Sequence, residues 1–152
     1  MKTEDFIDTL KAGLEKDLLK VEKLKKNRLS VHIKPEAIIN FARFLHMHLK
    51  FRFIIASAMH SKKGIEILYH FSDDSSGSII NIQVVLDENK PEVESLTGIF
   101  VAADWIEREM HEIMGINFLN HPNLEKLLSE GNWAEGVYPY RKSHQPKADK
   151  RE

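Results

Sequence analysis

There is no cysteine in the 152 residues, which removes disulfides, thiolate metal ligands and cysteine nucleophiles together. A chain of this length buries about two-thirds of the surface its unfolded form exposes, so one domain needs no covalent staple. The absence of cysteine fits an intracellular protein. Neither sign of charge is in excess: 22 Lys and Arg stand against 23 Asp and Glu, for a formal net charge of -1. A dedicated nucleic-acid binder draws its affinity from a basic surplus that this chain lacks. The opening MKTEDFIDTL places acids where a secretory leader needs a basic stretch ahead of an apolar one. The longest apolar run, near Phe53 to Met59, falls well short of the roughly 18 to 20 residues that cross a bilayer. The chain is expected to be soluble and to meet a membrane only through a partner. No internal repeat or low-complexity segment is present.

What is present is periodic. From Thr3 to Lys26, Ile7, Leu10, Leu14, Leu18 and Val21 recur in steps of three and four, the stripe of an amphipathic helix. Lys11/Glu15 and Glu22/Lys26 lie at i,i+4 spacing on its charged side. Its basic last turn (Lys23, Lys25, Lys26) suits the helix dipole and reads as a solvated face, not a nucleic-acid patch. Leu29, Val31 and Ile33 alternate with Ser30 and His32, predicting a half-buried strand over Arg28 to Ile33. Pro35 opens a helix to about Leu49, with Ile38, Phe41, Ala42 and Leu45 inward. Three strands follow: Phe53 to Met59, apolar enough to be central, then Ile65 to Phe71 and Ile80 to Leu86, joined by tight turns. Ala102, Ile106, Met110 and Ile113 mark a last helix, closed by Gly115. The fold class is therefore α+β: a mixed four-stranded sheet with helices packed on it, in the order α-β-α-β-β-β-α.

Beyond Gly115 periodicity fades, apart from a short helix expected at Pro122 to Leu128. Phe118, Leu124, Leu127, Leu128, Trp133, Val137, Tyr138 and Tyr140 nevertheless remain, and a disordered tail would be poor in such residues. Residues 1–115 are expected to form the domain, 116–142 an extended arm that buries itself on a partner, and 143–152 a disordered tail. Truncation after Gly115 should then leave a folded domain that has lost its partner.

Chemistry-bearing residues concentrate in Asp104 to Glu112. On a helix, Arg108 lies one turn from both Asp104 and Glu112, predicting a guanidinium between two carboxylates. Glu107 and His111 at i,i+4 could chelate a metal, but Gly115 stands where H-E-x-x-H requires its second histidine, and spacing indicates no further ligand. A small acid/base enzyme using Glu107, Glu109 and His111 is the other chemical reading, weighed against ordinary surface ion pairs. His32, His46, His48, His60 and His70 share no common face and read as polar positions, not ligands.

One long pattern points further. Ala103-Asp104-Trp105-Ile106-Glu107-Arg108-Glu109, then Gly115-Ile116, His121-Pro122-Asn123-Leu124, Leu127-Leu128, Trp133 and Arg141-Lys142 together resemble the 30-kDa subunit family of complex I. Complex I is the respiratory-chain NADH dehydrogenase, or NADH-quinone oxidoreductase, and the family is found also in energy-converting hydrogenases and formate hydrogenlyases. The resemblance covers most of residues 28 to 142. It implies a non-catalytic subunit without cofactor, peripheral on the inner, cytoplasmic face of the membrane. In such an assembly the partner subunits carry iron-sulfur clusters, with NADH and FMN or nickel-iron according to the complex. It further implies that the chain docks the hydrogenase-like large subunit, beside other peripheral-arm subunits, during electron transfer toward quinone or protons. The partner-binding residues implied are Trp105, Glu107, Arg108, Glu109, His121, Pro122, Leu124, Leu128, Trp133, Tyr138, Arg141 and Lys142. Trp105, Trp133 and Tyr138 are the expected anchors, since aromatics dominate interface hot spots. Three departures bear on which complex is meant: Glu125 stands where the family usually has a basic residue, His111-Glu112 replaces an aromatic-aspartate pair, and the Gly131 to Lys142 spacing is nearer the hydrogenase-type members. A stand-alone binding module of the same fold is the alternative. An arm without its partner exposes apolar area, so self-association of the isolated chain is expected.

Overall fold

The computed structural model describes residues 3–129 and 132–144. The expected tail therefore falls, from residue 145 on, outside the described residues, as does Gly131. The chain forms a five-stranded mixed sheet ordered β1-β2-β5-β4-β3 and a separate two-stranded ribbon, β6-β7. The main strands are β1 (Leu18–Lys25), β2 (Arg28–Ile33), β3 (Arg52–His60), β4 (Ile65–Asp73) and β5 (Ser78–Leu86). The ribbon pairs β6 (Glu92–Glu94) with β7 (Asn117–Leu119). Three helices, α1 (Thr3–Leu14), α2 (Ile38–Arg43) and α3 (Ala103–Met114), feed the same buried cluster as the inward side of the sheet.

The α+β class is as expected, but the first element is shorter and the sheet one strand wider. The helix stops at Leu14, and Leu18–Lys25 pairs antiparallel with β2 instead. Register shifts between Leu18 and Lys20 and between Lys23 and Lys25 interrupt the alternation. The apolar residues of a twice-bulged strand thereby fall at spacings that imitate a helix. The sheet is mixed because it contains a parallel pair. β2 lies beside β5, while β3, β4 and β5 form an antiparallel meander that leaves β3 at the edge. The apolar run Phe53 to Met59 is thus not central: Phe53 and Ala56 point into the core, whereas Ile54, Ile55 and Met59 stay exposed.

α2 continues into a π-helical turn, Phe44–His48, closed by the Leu49 amide donating to the Phe44 carbonyl at 3.2 Å. Lys50 follows in the left-handed region at φ 61.

The domain does not end at Gly115. Ile116 and Phe118 are fully buried in the core, and β7 runs parallel to β6. Each such side chain contributes about 1.5–3 kcal/mol when buried. Truncation after Gly115 therefore cuts into the core, and the domain extends through Leu119. Pro122 to Leu128 is irregular, not helical.

Candidate partner-binding surface

α3 is the element from which the site is built. Ala103, Glu107, Met110 and Met114 form its buried stripe, and Trp105 and Glu109 fall on other sides. Trp105 is 67% exposed. Gly115 ends the helix at φ 71, a conformation that suits a residue without Cβ.

Glu107 does not face a partner: it is only 1% exposed. Its carboxylate accepts the Ser95 hydroxyl at 2.6 Å and the Leu96 amide at 2.7 Å, pinning the loop after β6 to α3. Burial pushes this carboxyl up to about 7, against the downward pull of the Ser95 and Leu96 donors, and the Asp104 carboxylate adds to the rise. His121 is likewise inside. Its Nε2 lies 3.2 Å from the Asp104 carbonyl and 3.9 Å from Glu107, while its Nδ1 accepts the Asn123 amide at 3.0 Å. An accepting Nδ1 leaves the proton on Nε2, which therefore donates to the carbonyl.

Arg108 does not lie between Asp104 and Glu112. Its Nε and Nη2 donate to the carbonyls of Glu125 and Lys126 at 2.9 and 3.0 Å. One turn further on, the Glu112 carboxylate accepts the amides of Leu127, Leu128 and Ser129 at 2.8, 2.7 and 2.7 Å, and the Ser129 hydroxyl as well. Burial pushes the Glu112 carboxyl up, but the Leu128, Ser129 and Leu127 donors outweigh it and hold it at about 2. The two side chains expected to pair with each other thus grip opposite ends of the peptide groups in residues 125–129. Both satisfy an irregular segment that has no strand or helix of its own.

The far end of this segment is tied to the end of α3. Tyr140 donates its amide to the Ile113 carbonyl at 3.1 Å, and Arg141 Nε donates to the Met114 carbonyl at 2.7 Å. These are carbonyls that a helix terminus leaves without internal partners. The Tyr138 ring covers Gly115 so closely that a Cβ there would lie 2.5 Å from it, and Arg141 stacks over the same ring at 4.8 Å. The Lys142 amide donates to His60 Nδ1 at 3.2 Å, while His60 Nε2 meets Glu88 at 2.7 Å. The arm is therefore a strap, clasped to its own domain at both ends.

The expected residues divide accordingly. Glu107, Arg108, His121, Tyr138 and Arg141 are spent inside the molecule, and the half-buried Leu124 packs on the core. Trp105, Pro122, Leu128, Trp133 and Lys142 are exposed, and Glu109 is half-buried. Glu112 and Tyr140 are not among the expected site residues; three consecutive amides converging on one carboxylate leave no pattern in the chain. Glu107, Glu109 and His111 do not converge on a common point, because His111 Nδ1 is bonded to the Ile116 carbonyl at 2.8 Å while Glu107 turns toward Ser95. The strap thus exposes Leu128, Trp133 and Tyr140 among charged residues that include Glu125, Lys126, Glu135 and Lys142.

Comparison with known proteins gives a consistent picture. The family described as "Respiratory-chain NADH dehydrogenase, 30 Kd subunit" matches residues 31–150. An NADH-quinone oxidoreductase subunit of Roseiflexus sp. (strain RS-1) is 34% identical over 142 residues, spanning 90% of this chain and 80% of that protein. NADH-ubiquinone oxidoreductase subunit 9 of Reclinomonas americana is 33% identical over 123 residues, spanning 77% of this chain and 59% of that protein. A chain in the structure of the membrane-bound sulfane sulfur reductase, an archaeal respiratory membrane complex, superposes with a TM-score of 0.82 at 20% identity. It covers 93% of this chain and 85% of that one, a likeness of fold.

Proposed function

We infer that this chain, which belongs to the respiratory-chain NADH dehydrogenase 30 Kd subunit family, works as a docking subunit of a membrane-associated respiratory redox complex. It binds the hydrogenase-like large subunit and holds no redox centre of its own. Iron-sulfur clusters, and flavin with NADH or nickel-iron, belong in this reading to the partner subunits. The chain sits at the inner face of the membrane through them; none of its described helices is long and apolar enough to cross a bilayer.

The observation that carries this reading is the strap. Trp133, Leu128 and Tyr140 are 47%, 61% and 61% exposed, on a segment whose backbone is tied at residues 125–129 by Arg108 and Glu112 and at Tyr140 by the end of α3. Clamped backbone with outward aromatics loses little conformational entropy on binding, which is how a preorganised interface gains affinity. Large exposed apolar side chains grouped on one segment mark an interaction site, not a random surface.

The test is capture of the large subunit of the cognate complex by the tagged full chain. Replacing Leu128 and Trp133 together with alanine should weaken capture at least about tenfold, the loss of one or two hot-spot residues, with an unchanged circular dichroism spectrum. Capture at full strength by that double variant overturns the reading.

A further inference from the structure

A second surface lies at the other end of α3 from the strap, between the π-helical turn and the loop that leads into the helix. Two open depressions adjoin there, of about 300 and 690 Å3, sharing His46 and Lys50. The floor of the smaller one is aromatic: Phe53 and Phe100 stack at 5.0 Å. Their rim carries Arg43, Lys50 and Arg52, and no acidic side chain lines either one. In a chain with a net charge of -1, a wall of one sign is a local asymmetry. Arg52 is bonded to Asp74 at 2.9 Å through two nitrogens. Arg43 and Lys50 are exposed and form no ion pair or side-chain hydrogen bond among the described residues. Met47 and Val101, 60% and 89% exposed, stand at the same place.

The backbone here is irregular twice over. The π-helical turn sets the rim, and such turns gather at functional sites. Lys50 then holds a left-handed conformation at φ 61 that glycine or asparagine would adopt more readily. Ala102, just ahead of α3, supplies no side-chain cap and itself lines the depression, so the positive end of the helix faces it too.

We propose that this groove receives an acidic segment of another subunit, with an apolar side chain seated on Phe53 and Phe100 and flanking carboxylates at Arg43 and Lys50. Charge complementarity selects a peptide over a membrane surface. Two unpaired cations fall below the clusters of about four to eight that bind anionic bilayers, and the apolar floor asks for a side chain. The proposal extends the docking reading to a second contact that does not involve the strap.

The test is a titration of the isotopically labelled full chain with a short peptide alternating glutamate and leucine, followed by amide chemical shifts. The same peptide with lysine for glutamate and phosphatidylglycerol vesicles are run beside it. Saturable shifts grouped on residues 43–53 and 98–102, weakened by salt, are expected for the acidic peptide alone. Arg43→Glu with Lys50→Glu should reduce its affinity at least tenfold with the spectrum otherwise intact. The Leu128→Ala, Trp133→Ala variant should bind it unchanged, so failure here and failure of the strap reading are told apart. Absence of saturable shifts, shifts centred on the strap, equal response to both peptides, or binding to vesicles but not to peptide each overturns the proposal.

Discussion

Glu107 is a carboxylate held where a carboxylate is costly, and its replacement by glutamine tests the account of α3 most directly. The side chain is buried and, among the described residues, no Lys or Arg pairs with it; the Ser95 hydroxyl and Leu96 amide donate to it, and His121 Nε2 stands 3.9 Å away. Its carboxyl rises from the ordinary 4.5 to about 7. The folded state therefore binds this proton more tightly than the unfolded chain does. Stability is greatest below 4.5, falls as pH rises toward 7, and above 7 carries the full cost. From 4.5 to about 7, at about 1.4 kcal/mol for each pH unit, that cost is about 3 kcal/mol. Glutamine fits the same place without ionising: its carbonyl oxygen accepts the Leu96 amide, and its NH2 donates to Ser95 Oγ. The Ser95 hydroxyl then donates its hydrogen bond to Thr97 Oγ1, 2.7 Å away. Urea unfolding followed by circular dichroism at about pH 5 and about pH 8 reads the outcome. Relative to the native chain, Glu107→Gln should gain about 2 to 3 kcal/mol between the two conditions. A difference that stays constant with pH, or that turns against glutamine at pH 8, refutes the reasoning.

Glu112 works in the opposite sense. Its carboxyl is held at about 2, so its stabilisation is complete above 4.5 and fades as pH falls from there through 2. Glu112→Gln sets an amide nitrogen against converging N–H groups and loses charge-assisted bonds worth about 1.5–3 kcal/mol each. Hydrogen exchange of the Leu127, Leu128 and Ser129 amides should quicken at least about tenfold, and unchanged protection would show that the carboxylate does not hold the strap. Gly115→Ala forces a side chain into φ 71 and onto the Tyr138 ring, so thermal unfolding should show a loss of about 2 kcal/mol. An unchanged midpoint rules out that contact.

The parts of the fold that read plainly from the sequence are those whose period is undisturbed. In β2, β4 and β5 the large apolar residues of the core recur at every second position, and each strand lies where that pattern places it. α3 and its glycine stop follow for the same reason, since the helical stripe and the left-handed cap are both local facts. β1 is hidden because two register shifts give a strand the spacing of a helix. β3 is misplaced for a different reason. Composition tells how apolar it is, but whether a strand lies at the edge depends on which neighbour the crossover reaches, and β2 reaches β5. Pairing order is a property of the whole sheet, and no window of sequence contains it.

The surface divides along the same line. Leu128 and Trp133 can be picked out because apolar bulk outside a periodic element is visible in the chain itself, and Trp105 because it stands off the buried stripe of α3. The roles of Glu107, Arg108 and Glu112 cannot, because charged residues spaced at i,i+4 on a helix satisfy each other equally well on paper. The difference is made by what lies opposite. A segment such as residues 125–129, with carbonyls and amides and no secondary structure, competes for a guanidinium and a carboxylate and supplies several bonds where the ion pair supplies one or two. Ion pairs near a surface gain about 0–1 kcal/mol, whereas buried peptide groups left without partners cost more than that. Arg108 and Glu112 of α3 are therefore spent on holding the strap, and Leu128, Trp133 and Tyr140 stay exposed along it.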